Sequence, residues 1–313
     1  MRTWRVVLKI AAYYCVSCVL LAIPLGELPF HTIFNPVDNL QVVQSSSSKF
    51  GAGFEDVSII SVDGIRLAGW VARPAHASGN AVILLHGVGD SRQGMVGFAR
   101  LFLSQGYMVL LPDSRGHGTS GGFPTYGIRE AGDVRRWVDW LNRNEKPRCV
   151  FGMGESMGAA ILLQATKDVP LCAVVAESPF ASFREIAYIR VGRFFNAGDW
   201  VGRIALRPAV EIAFLYGWMT RGVQLAHASP ALSVVGGHVP ILLIHGLADT
   251  NIPFQQSEMI LAHNPSYITL WEVPGAGHIG ASRIAGQEFD ARVLNWFASH
   301  AAEIREQANQ PRN

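Results

Sequence analysis

The sequence predicts an α/β protein with a mostly parallel β-sheet, helices on both faces and a helical insertion. Short apolar and β-branched runs alternate with longer helix-like runs along residues 81–300, which is typical of a covered parallel sheet. A serine between two glycines lies where one predicted strand meets the next helix. About sixty residues separate the strand ending near Glu177 from the one starting at Ile241, too many for a simple crossover.

The length and composition indicate one large core. A chain of 313 residues suits a single α/β domain with an insertion. Charged residues make up 16% and hydrophobic residues 49% of the chain, which is apolar for a soluble enzyme. The net charge is only +2 and no basic run is present, so nucleic acid is not expected as a partner.

The N-terminus carries an apolar segment. Residues 10–25 contain no charge and follow Arg2, Arg5 and Lys9. With residues 6–8 added and Lys9 snorkelling to the interface, the segment approaches the roughly 20 residues that a membrane span needs. No good small-x-small cleavage site ends it, so an uncleaved anchor is favoured over a cleaved signal peptide, and either over a buried core helix.

The charge pattern predicts sidedness and the domain limits follow from composition. Positive charges ahead of the anchor place the rest of the chain on the extracytoplasmic side, and export after signal cleavage is the alternative.

We expect an anchor or signal over residues 1–27, a linker over 28–53, the main domain over 54–302 and a polar tail over 303–313.

The predicted elements follow in order. Asp63-Gly64 joins two strand-like runs and is a strong hairpin signal, so the sheet should begin antiparallel. The predicted strands are 56–62, 65–73, 81–85, 108–111, 148–153, 173–176, 241–244 and 268–272; the predicted helices are 95–104, 128–142, 157–166, 254–262 and 287–300.

The insertion, at about residues 179–235, is expected to form a helical cap over the carboxyl edge of the sheet. Its segment 179–230 is rich in aromatic residues and has six arginines against three acids. Most of the aromatic side chains should pack within the cap. The arginines could form a solvated face, or contact anionic lipid head groups or an acidic substrate.

Four cysteines do not make a disulfide framework. Cys15 and Cys18 lie in the apolar N-terminal segment. Cys149 and Cys172 begin two consecutive predicted strands. A disulfide between them is geometrically possible outside the cytoplasm, but two buried thiols are the favoured interpretation.

Gly154-Glu-Ser-Met-Gly158 fits G-x-S-x-G at a predicted strand-to-helix turn. A serine at such a tight turn is held in a strained backbone, and the flanking glycines remove Cβ atoms that would clash there. Ser156 should therefore project at the carboxyl end of the sheet, above the positive end of a helix dipole. This geometry is typical of a catalytic nucleophile.

A serine nucleophile needs a base, and the base needs an orienting acid. His278 follows the last predicted strand in a glycine-rich loop and is the expected base. Asp249 follows the penultimate strand and is the expected acid. Glu177, at the end of the strand after the elbow, is the alternative acid.

The developing oxyanion needs two backbone N–H groups. We expect one from Met157, the residue after the nucleophile, and one from Val88 in the loop that begins His86-Gly87. His86 is interpreted as a structural hydrogen-bonding residue.

The glycine-rich loop 113–122 lacks a phosphate-loop lysine, so nucleotide binding is not expected. Asp113, Arg115 and His117 should brace this loop. No metal or other cofactor is expected.

Taken together, these motifs resemble the α/β-hydrolase superfamily. They are His86-Gly87, Asp113-Ser-Arg-Gly-His-Gly, Gly154-Glu-Ser-Met-Gly158, Asp249 and His278, in that order. Within the superfamily the chain is most similar to serine-aminopeptidase-like (S33-type) and Bem46/ABHD-like hydrolases. The resemblance implies an eight-stranded sheet whose second strand is antiparallel, a cap after the sixth strand, and Ser156, Asp249 and His278 as nucleophile, acid and base. A serine at the elbow argues against the dehalogenase and epoxide-hydrolase branches.

The expected function is a serine hydrolase that cleaves a carboxylic ester or thioester with an apolar, lipid-like acyl part. An amidase or peptidase of the same fold is the alternative. A non-catalytic α/β-hydrolase-fold binding protein is less favoured, because every triad position is filled. The expected partners are a small-molecule or lipid-like acyl substrate and a membrane, the latter through the N-terminal segment.

Overall fold

A computed structural model describes residues 2–31, 53–196 and 198–309. The chain divides into two compact units. The first, called the helical unit here, joins Met1–His31 to Ser182–Ala228, and the second, the sheet unit, joins Thr32–Ala181 to Ser229–Asn313. Most of the predicted linker and the end of the predicted tail lie outside the described residues, so the predicted domain limits stay predictions.

Within the described residues, an eight-stranded sheet has the order β1-β2-β4-β3-β5-β6-β7-β8. Only β2 runs against its neighbours, and all other adjacent pairs are parallel. This confirms the predicted fold class and the antiparallel second strand. The strands are β1 Glu55–Ile60, β2 Arg66–Ala72, β3 Asn80–Leu85, β4 Met108–Pro112, β5 Cys149–Glu155, β6 Val174–Glu177, β7 Ile241–Gly246 and β8 Ile268–Val273.

Ten α-helices lie in the described part of the chain. They are α1 Arg2–Glu27, α2 Val96–Ser104, α3 Glu130–Asn144, α4 Met157–Ala165, α5 Phe183–Phe194, α6 Arg207–Arg221, α7 Pro230–Ser233, α8 Gln255–His263, α9 Ala281–Ala285 and α10 Gln287–Asn309. The last helix continues past its predicted end at residue 300 into the segment predicted as a polar tail.

Helices cover both faces of the sheet, because successive side chains of its strands point in opposite directions. In β3, Ile83 and Leu85 join a core with α3, α4 and α8, whereas Val82 and Leu84 join a second core with α2 and α10. Both cores are built from large apolar side chains, and the central strands β3 and β5 are almost wholly buried. A strand buried on both faces explains why β5 reads as a continuous apolar run.

Cys149 and Cys172 are joined by a disulfide, so the favoured interpretation of two thiols is wrong. Cys149 begins β5, and the N–H of Cys172 donates to the carbonyl of Val150 at 2.9 Å. This pairing of adjacent strands brings the two Cα atoms to 5.8 Å, a usual spacing for a disulfide. The sequence does not reveal this register, since it is set by strand pairing.

The helical unit contains α1, α5, a π-helical turn at Val201–Ala205 and α6. The inserted segment is therefore helical, as predicted, while its placement over the sheet edge stays a prediction. The stretch Thr3–Phe30, 28 residues long, is long and apolar enough to cross a membrane on length and composition. The same property is shared by signal sequences, so both predicted interpretations of this segment stay open.

Candidate active site

Ser156 stands on a sharp turn between β5 and α4. Its backbone has φ 52° and ψ −111°, a left-handed conformation that costs free energy for a residue with a Cβ atom. The N–H of Ser156 donates to the carbonyl of Glu177 at 2.8 Å, which ties the turn to β6. The surrounding structure thus holds the serine in the strained geometry that the sequence predicts.

The two glycines of the motif are required by close packing. A Cβ atom at Gly154 would lie 2.5 Å from the carbonyl carbon of Gly158. A Cβ atom at Gly158 would lie 2.2 Å from the carbonyl oxygen of Leu85. Neither backbone neighbour can retreat as a side chain could, so the start of α4 can lie against β3 and β5 only with glycine at both positions.

His278 connects Ser156 to Asp249. Its Nε2 lies 2.9 Å from Ser156 Oγ, and its Nδ1 lies 2.7 Å from Asp249 Oδ2. A carboxylate can only accept a hydrogen bond, so Nδ1 carries the proton and Nε2 accepts from the serine hydroxyl. Asp249 follows β7 and His278 follows β8. The structure thus brings the three residues predicted as a triad into one hydrogen-bonded line.

Asp249 is held in its ionised form. Burial works against the charge, but hydrogen bonds from His245, His278 and the Ile252 N–H outweigh it and hold the pKa of Asp249 well below its usual range. Oδ1 accepts the N–H groups of Asn251 and Ile252 at 2.8 and 2.9 Å. An acid fixed in this way can keep the imidazole in one tautomer throughout a reaction.

Sequence reasoning assigned no role to His245, which also approaches this acid. Its Nε2 donates to the carbonyl of Ile252 at 3.0 Å and lies 3.4 Å from Asp249 Oδ2. Its Nδ1 lies 2.7 Å from the Ser257 hydroxyl. The residue is fully buried and supports the Asp249 loop. His245 lies at the end of β7, four residues before the predicted acid, and this position is the feature of the sequence that could have indicated its role.

Glu177, the alternative acid, does not occupy the Nδ1 position of His278, which Asp249 takes. Its Oε1 accepts the N–H of Ala281 at 2.9 Å, at the start of α9. Its Oε2 is buried and has no hydrogen-bond partner among the described residues. Glu177 therefore binds the backbone just after His278 and does not bind the imidazole of His278.

Two carboxyl groups beside the elbow have strongly raised pKa values. Burial, followed by the charges of Glu177 and Asp90, raises the pKa of Glu155 to about 8. Burial raises the pKa of Glu177 to about 7, although the N–H of Ala281 and the neighbouring histidines oppose the shift. At neutral pH much of this pair is protonated, which reduces the negative charge next to Ser156. Sequence reasoning missed this property of Glu155.

The loop after β3 lies next to Ser156. A Cβ atom at Gly87 would lie 3.5 Å from Ser156 Cβ, an ordinary contact distance. Val88, the next residue, is exposed. Met157 is the first residue of α4, and the first N–H groups of a helix have no acceptor within it. The two amides predicted for the oxyanion therefore border the turn that carries Ser156.

Histidine side chains link the loops after β3 and β4, and His86 is a structural hydrogen-bonding residue as predicted. His86 Nε2 accepts the N–H of Ser114 at 3.1 Å, so its Nδ1 donates to the carbonyl of Gly87. His117 Nε2 accepts the N–H of Gly89 at 3.2 Å. Burial and the neighbouring His86 lower the pKa of His117 to about 4, so it stays neutral and able to accept. These contacts fix the backbone on both sides of Val88.

The Asp113 and Arg115 side chains complete the brace. Asp113 accepts backbone N–H groups of Arg92 and Thr119, each at 2.9 Å. Arg115 pairs with Asp133 at 2.6 Å and with Asp63 at 2.7 Å. Burial alone would oppose its charge, but these carboxylates raise the pKa of Arg115. Among residues 2–31, 53–196 and 198–309, no cluster of histidine, cysteine and carboxylate side chains suits a metal ion.

The open, mostly parallel sheet and the Ser-His-Asp line at its carboxyl edge define the class of α/β hydrolases. Two family models match this chain: that described as serine aminopeptidase, S33, over residues 76–210, and that of the prolyl oligopeptidase family over residues 216–303. The chain belongs to the α/β-hydrolase superfamily, as its motifs indicate.

Individual relatives agree with this assignment. The chain is 30% identical over 241 residues to an uncharacterised protein of Mycobacterium tuberculosis, covering 75% of this chain and 76% of that one. It is 26% identical over 232 residues to the lysophosphatidylserine lipase ABHD12 of Danio rerio, covering 67% and 56% of the two chains. The Pyrococcus furiosus esterase Pf2001 shares the fold with a TM-score of 0.68 at 24% identity, covering 85% of this chain and 99% of the esterase.

Proposed function

We propose that this protein is a serine hydrolase that cleaves a carboxylic ester or thioester through an acyl-enzyme. Ser156 is the nucleophile, His278 the general base and Asp249 the orienting acid. The observation that carries the proposal is the continuous hydrogen-bonded line from Ser156 Oγ through both ring nitrogens of His278 to Asp249. A serine hydroxyl is a poor nucleophile near neutral pH unless such a base accepts its proton.

The reaction follows from which atoms carry protons. Ser156 Oγ attacks the acyl carbonyl carbon while its proton passes to His278 Nε2. The imidazolium that forms is stabilised by ionised Asp249. His278 then returns the proton to the leaving alcohol or thiol, and the acyl group remains on Ser156. A water, deprotonated by the same nitrogen, attacks the acyl carbonyl and releases the acid with Ser156 restored.

The tetrahedral oxyanion is stabilised by the backbone N–H groups of Met157 and Val88. The start of α4 adds the positive end of a helix dipole at the same place. Removing one such donor costs on the order of 10²–10³ in turnover in other serine hydrolases. The braces from His86 and His117 support this assignment, because an oxyanion hole acts only when its donors are held in place beforehand.

An apolar acyl ester or thioester is the favoured substrate class. The apolar α1 supports this choice because it would place the enzyme near lipid. The zebrafish relative, a lysophosphatidylserine lipase, points in the same direction. Amide or peptide hydrolysis is the second candidate, favoured by the serine-aminopeptidase and prolyl-oligopeptidase family matches.

The sheet unit is placed on the extracytoplasmic side, anchored through the N-terminus. Arg2, Arg5 and Lys9 ahead of the apolar segment support this orientation. The Cys149–Cys172 disulfide adds support, since disulfides persist mainly in oxidising compartments. Export after cleavage of the N-terminal segment is the alternative, and sequencing of the mature N-terminus distinguishes the two.

Labelling with a fluorophosphonate probe tests the catalytic role. The wild-type protein should label and Ser156→Ala should not. Ser178→Ala is a matched control, because Ser178 is also buried and has a left-handed φ of 51°, but its Oγ has no partner among the described residues. It should label like the wild type. Failure of the wild type to label would favour the non-catalytic alternative.

A substrate screen tests the reaction type. p-Nitrophenyl esters of increasing chain length and a set of peptide amides should be compared on the wild type and on Ser156→Ala. We expect turnover of the esters to exceed that of the amides and to vanish in the variant. Faster cleavage of the amides would replace the esterase proposal with the peptidase.

A further inference from the structure

The N-terminal helix is part of the folded helical unit. Cys18, Ala22 and Phe30 are buried there, although the segment has the composition of a membrane span. The Tyr14 hydroxyl donates to the carbonyl of Ala205 in the π-helical turn. Near the other end of α1, Glu27 pairs with Arg221 of α6 at 2.6 Å. One face of the second half of α1 is therefore packed on protein, while Val19, Leu20 and Ile23 on its other side are exposed.

Glycines allow α1 and α6 to approach closely. A Cβ atom at Gly26 would lie 2.8 Å from the carbonyl oxygen of Ala213. A Cβ atom at Gly217 would lie 3.0 Å from the ring of Phe30. Small residues at a helix crossing are typical of helices that pack within membranes. The glycines thus permit close backbone contact between α1 and α6 at this crossing.

One side of α1 has no protein cover over most of its length. Residues 3–17 are all exposed, and Val19, Leu20 and Ile23 continue that exposed side past Cys18, the first buried residue. At the α-helical rise, residues 3–17 span about 22 Å, which is shorter than a bilayer's hydrocarbon core of about 30 Å. A full crossing would therefore also need the residues beyond Cys18, whose opposite side packs on the helical unit. Other surfaces of the helical unit would then share the lipid environment.

An exposed apolar surface of the helical unit lies beside the middle of α1. We call Phe194, Phe195, Trp200 and Ile204 the aromatic lip; Trp200 is 63% and Ile204 70% exposed. Ile204 precedes Ala205, the residue that Tyr14 contacts, so the lip adjoins the middle of α1. Four large apolar side chains are thus exposed between residues 194 and 204, and exposed apolar surface of this extent marks an interaction site.

Arginine side chains border the aromatic lip. The inserted segment 179–230 has six arginines against three acids. Arg193 and Arg203 lie in the same short stretch as the lip, and their partners Asp199 and Glu185 are partly exposed. Aromatic side chains bordered by arginines are typical of protein surfaces that lie at the interface of a bilayer.

We infer that the aromatic lip and the outward face of α1 form one surface that inserts into a phospholipid bilayer. In this arrangement the helical unit itself is lipid-bound, with Trp200 and Ile204 among the acyl chains or head groups and the exposed N-terminal part of α1 continuing into the membrane. The surface belongs to the inserted segment as well as to the N-terminus. This inference does not depend on the catalytic role of Ser156.

Site-specific fluorescence in proteoliposomes tests the inference. In a Cys15→Ala/Cys18→Ala background, Trp200→Cys and Ile204→Cys are each labelled with an environment-sensitive fluorophore. Val62→Cys and Leu232→Cys are matched controls, because Val62 and Leu232 are 78% and 67% exposed but belong to the sheet unit. The chains are reconstituted into phosphatidylcholine–phosphatidylglycerol vesicles with and without nitroxide-labelled lipid.

The nitroxide lipid should quench the labels at 200 and 204 at least several-fold more than those at 62 and 232. Equal quenching at the lip and at the control positions would overturn the inference. That result is also expected if the lip binds another protein instead of lipid. All four positions are exposed, so the substitutions should not prevent folding, and either lip position alone is decisive. The readout requires no turnover, so loss of fluorophosphonate labelling would leave it unaffected.

Discussion

Glu155 and Glu177 are paired directly in the ladder between β5 and β6, so their two buried carboxyl groups project from the same face of the sheet on strands that meet at Ser156. Each is disfavoured as an anion by burial, and the charge of Glu177 raises the pKa of Glu155 further. Asp90, Asp249, His245 and His278 also act on the pair. Ser156, the proposed nucleophile, therefore lies beside a pair of carboxyl groups that gains negative charge as pH rises.

This pair predicts how stability depends on pH. The folded-state pKa values of Glu155 and Glu177, about 8 and about 7, lie above the pKa of a glutamate in the unfolded chain. Between the unfolded and folded pKa values, the folded protein therefore binds more protons than the unfolded chain. The stability that the protonated pair contributes is fully present below the unfolded pKa and is lost as pH rises through 7 and 8. Glu155→Gln should lose roughly half as much stability as the wild type between pH 5.5 and 8.5.

Urea unfolding midpoints at pH 5.5, 7 and 8.5 measure this effect. Glu272→Gln, at an exposed position on β8, is the control and should follow the wild-type pH dependence. A Glu155→Gln curve parallel to the wild type over the whole range would show that the two carboxyl groups do not retain their protons in the folded state.

Asp249→Asn should lower kcat about 10²–10⁴-fold while leaving the fold intact. The asparagine amide can place a donor where Asp249 Oδ2 accepts from His278 Nδ1, which favours the wrong tautomer. The measurement is steady-state hydrolysis of a p-nitrophenyl ester together with circular dichroism. A nearly normal rate would transfer the role of acid to Glu177.

Substitutions of Glu177 separate positioning from acid chemistry. Glu177→Gln keeps a side-chain oxygen for the N–H of Ala281, so kcat should stay within a few-fold of the wild type. Glu177→Ala leaves that buried N–H unpaired and should lower the unfolding temperature, and kcat with it, because the loop that carries His278 loosens. If Gln reduced kcat as strongly as Asp249→Asn, Glu177 would have an acid role.

Loss of the Cys149–Cys172 disulfide should destabilise the protein by about 2–4 kcal/mol, because the cross-link restricts the unfolded chain. Cys149→Ser/Cys172→Ser should show the same lowered unfolding temperature with and without reductant, whereas the wild type should fall to it only when reduced. Mass spectrometry of protein isolated under alkylation measures the bond directly. Two alkylated cysteines at these positions would contradict both the bond and the extracytoplasmic placement.

The sequence alone determined the features that depend on local stereochemistry. The strand order in the chain, the Asp63-Gly64 turn and the Gly154–Gly158 motif each follow from what nearby backbone atoms permit. The three residues proposed as the triad could also be predicted to lie together, because parallel strands end at one edge of a sheet and so bring Ser156, Asp249 and His278 to the same place.

Contacts between segments distant in the chain were decided only by the tertiary structure. Strand register pairs Glu155 with Glu177 and brings Cys149 to Cys172, and neither pairing follows from spacing in the chain. The support of Asp249 by His245 requires the fold of the loop after β7. Composition alone predicts the apolar N-terminal segment as an independent anchor, yet one face of its second half packs on α6, where Gly26 and Gly217 permit a close approach. Composition shows how apolar a segment is. Which residues that segment packs against depends on the shape of the surface opposite it, which here is formed by α6.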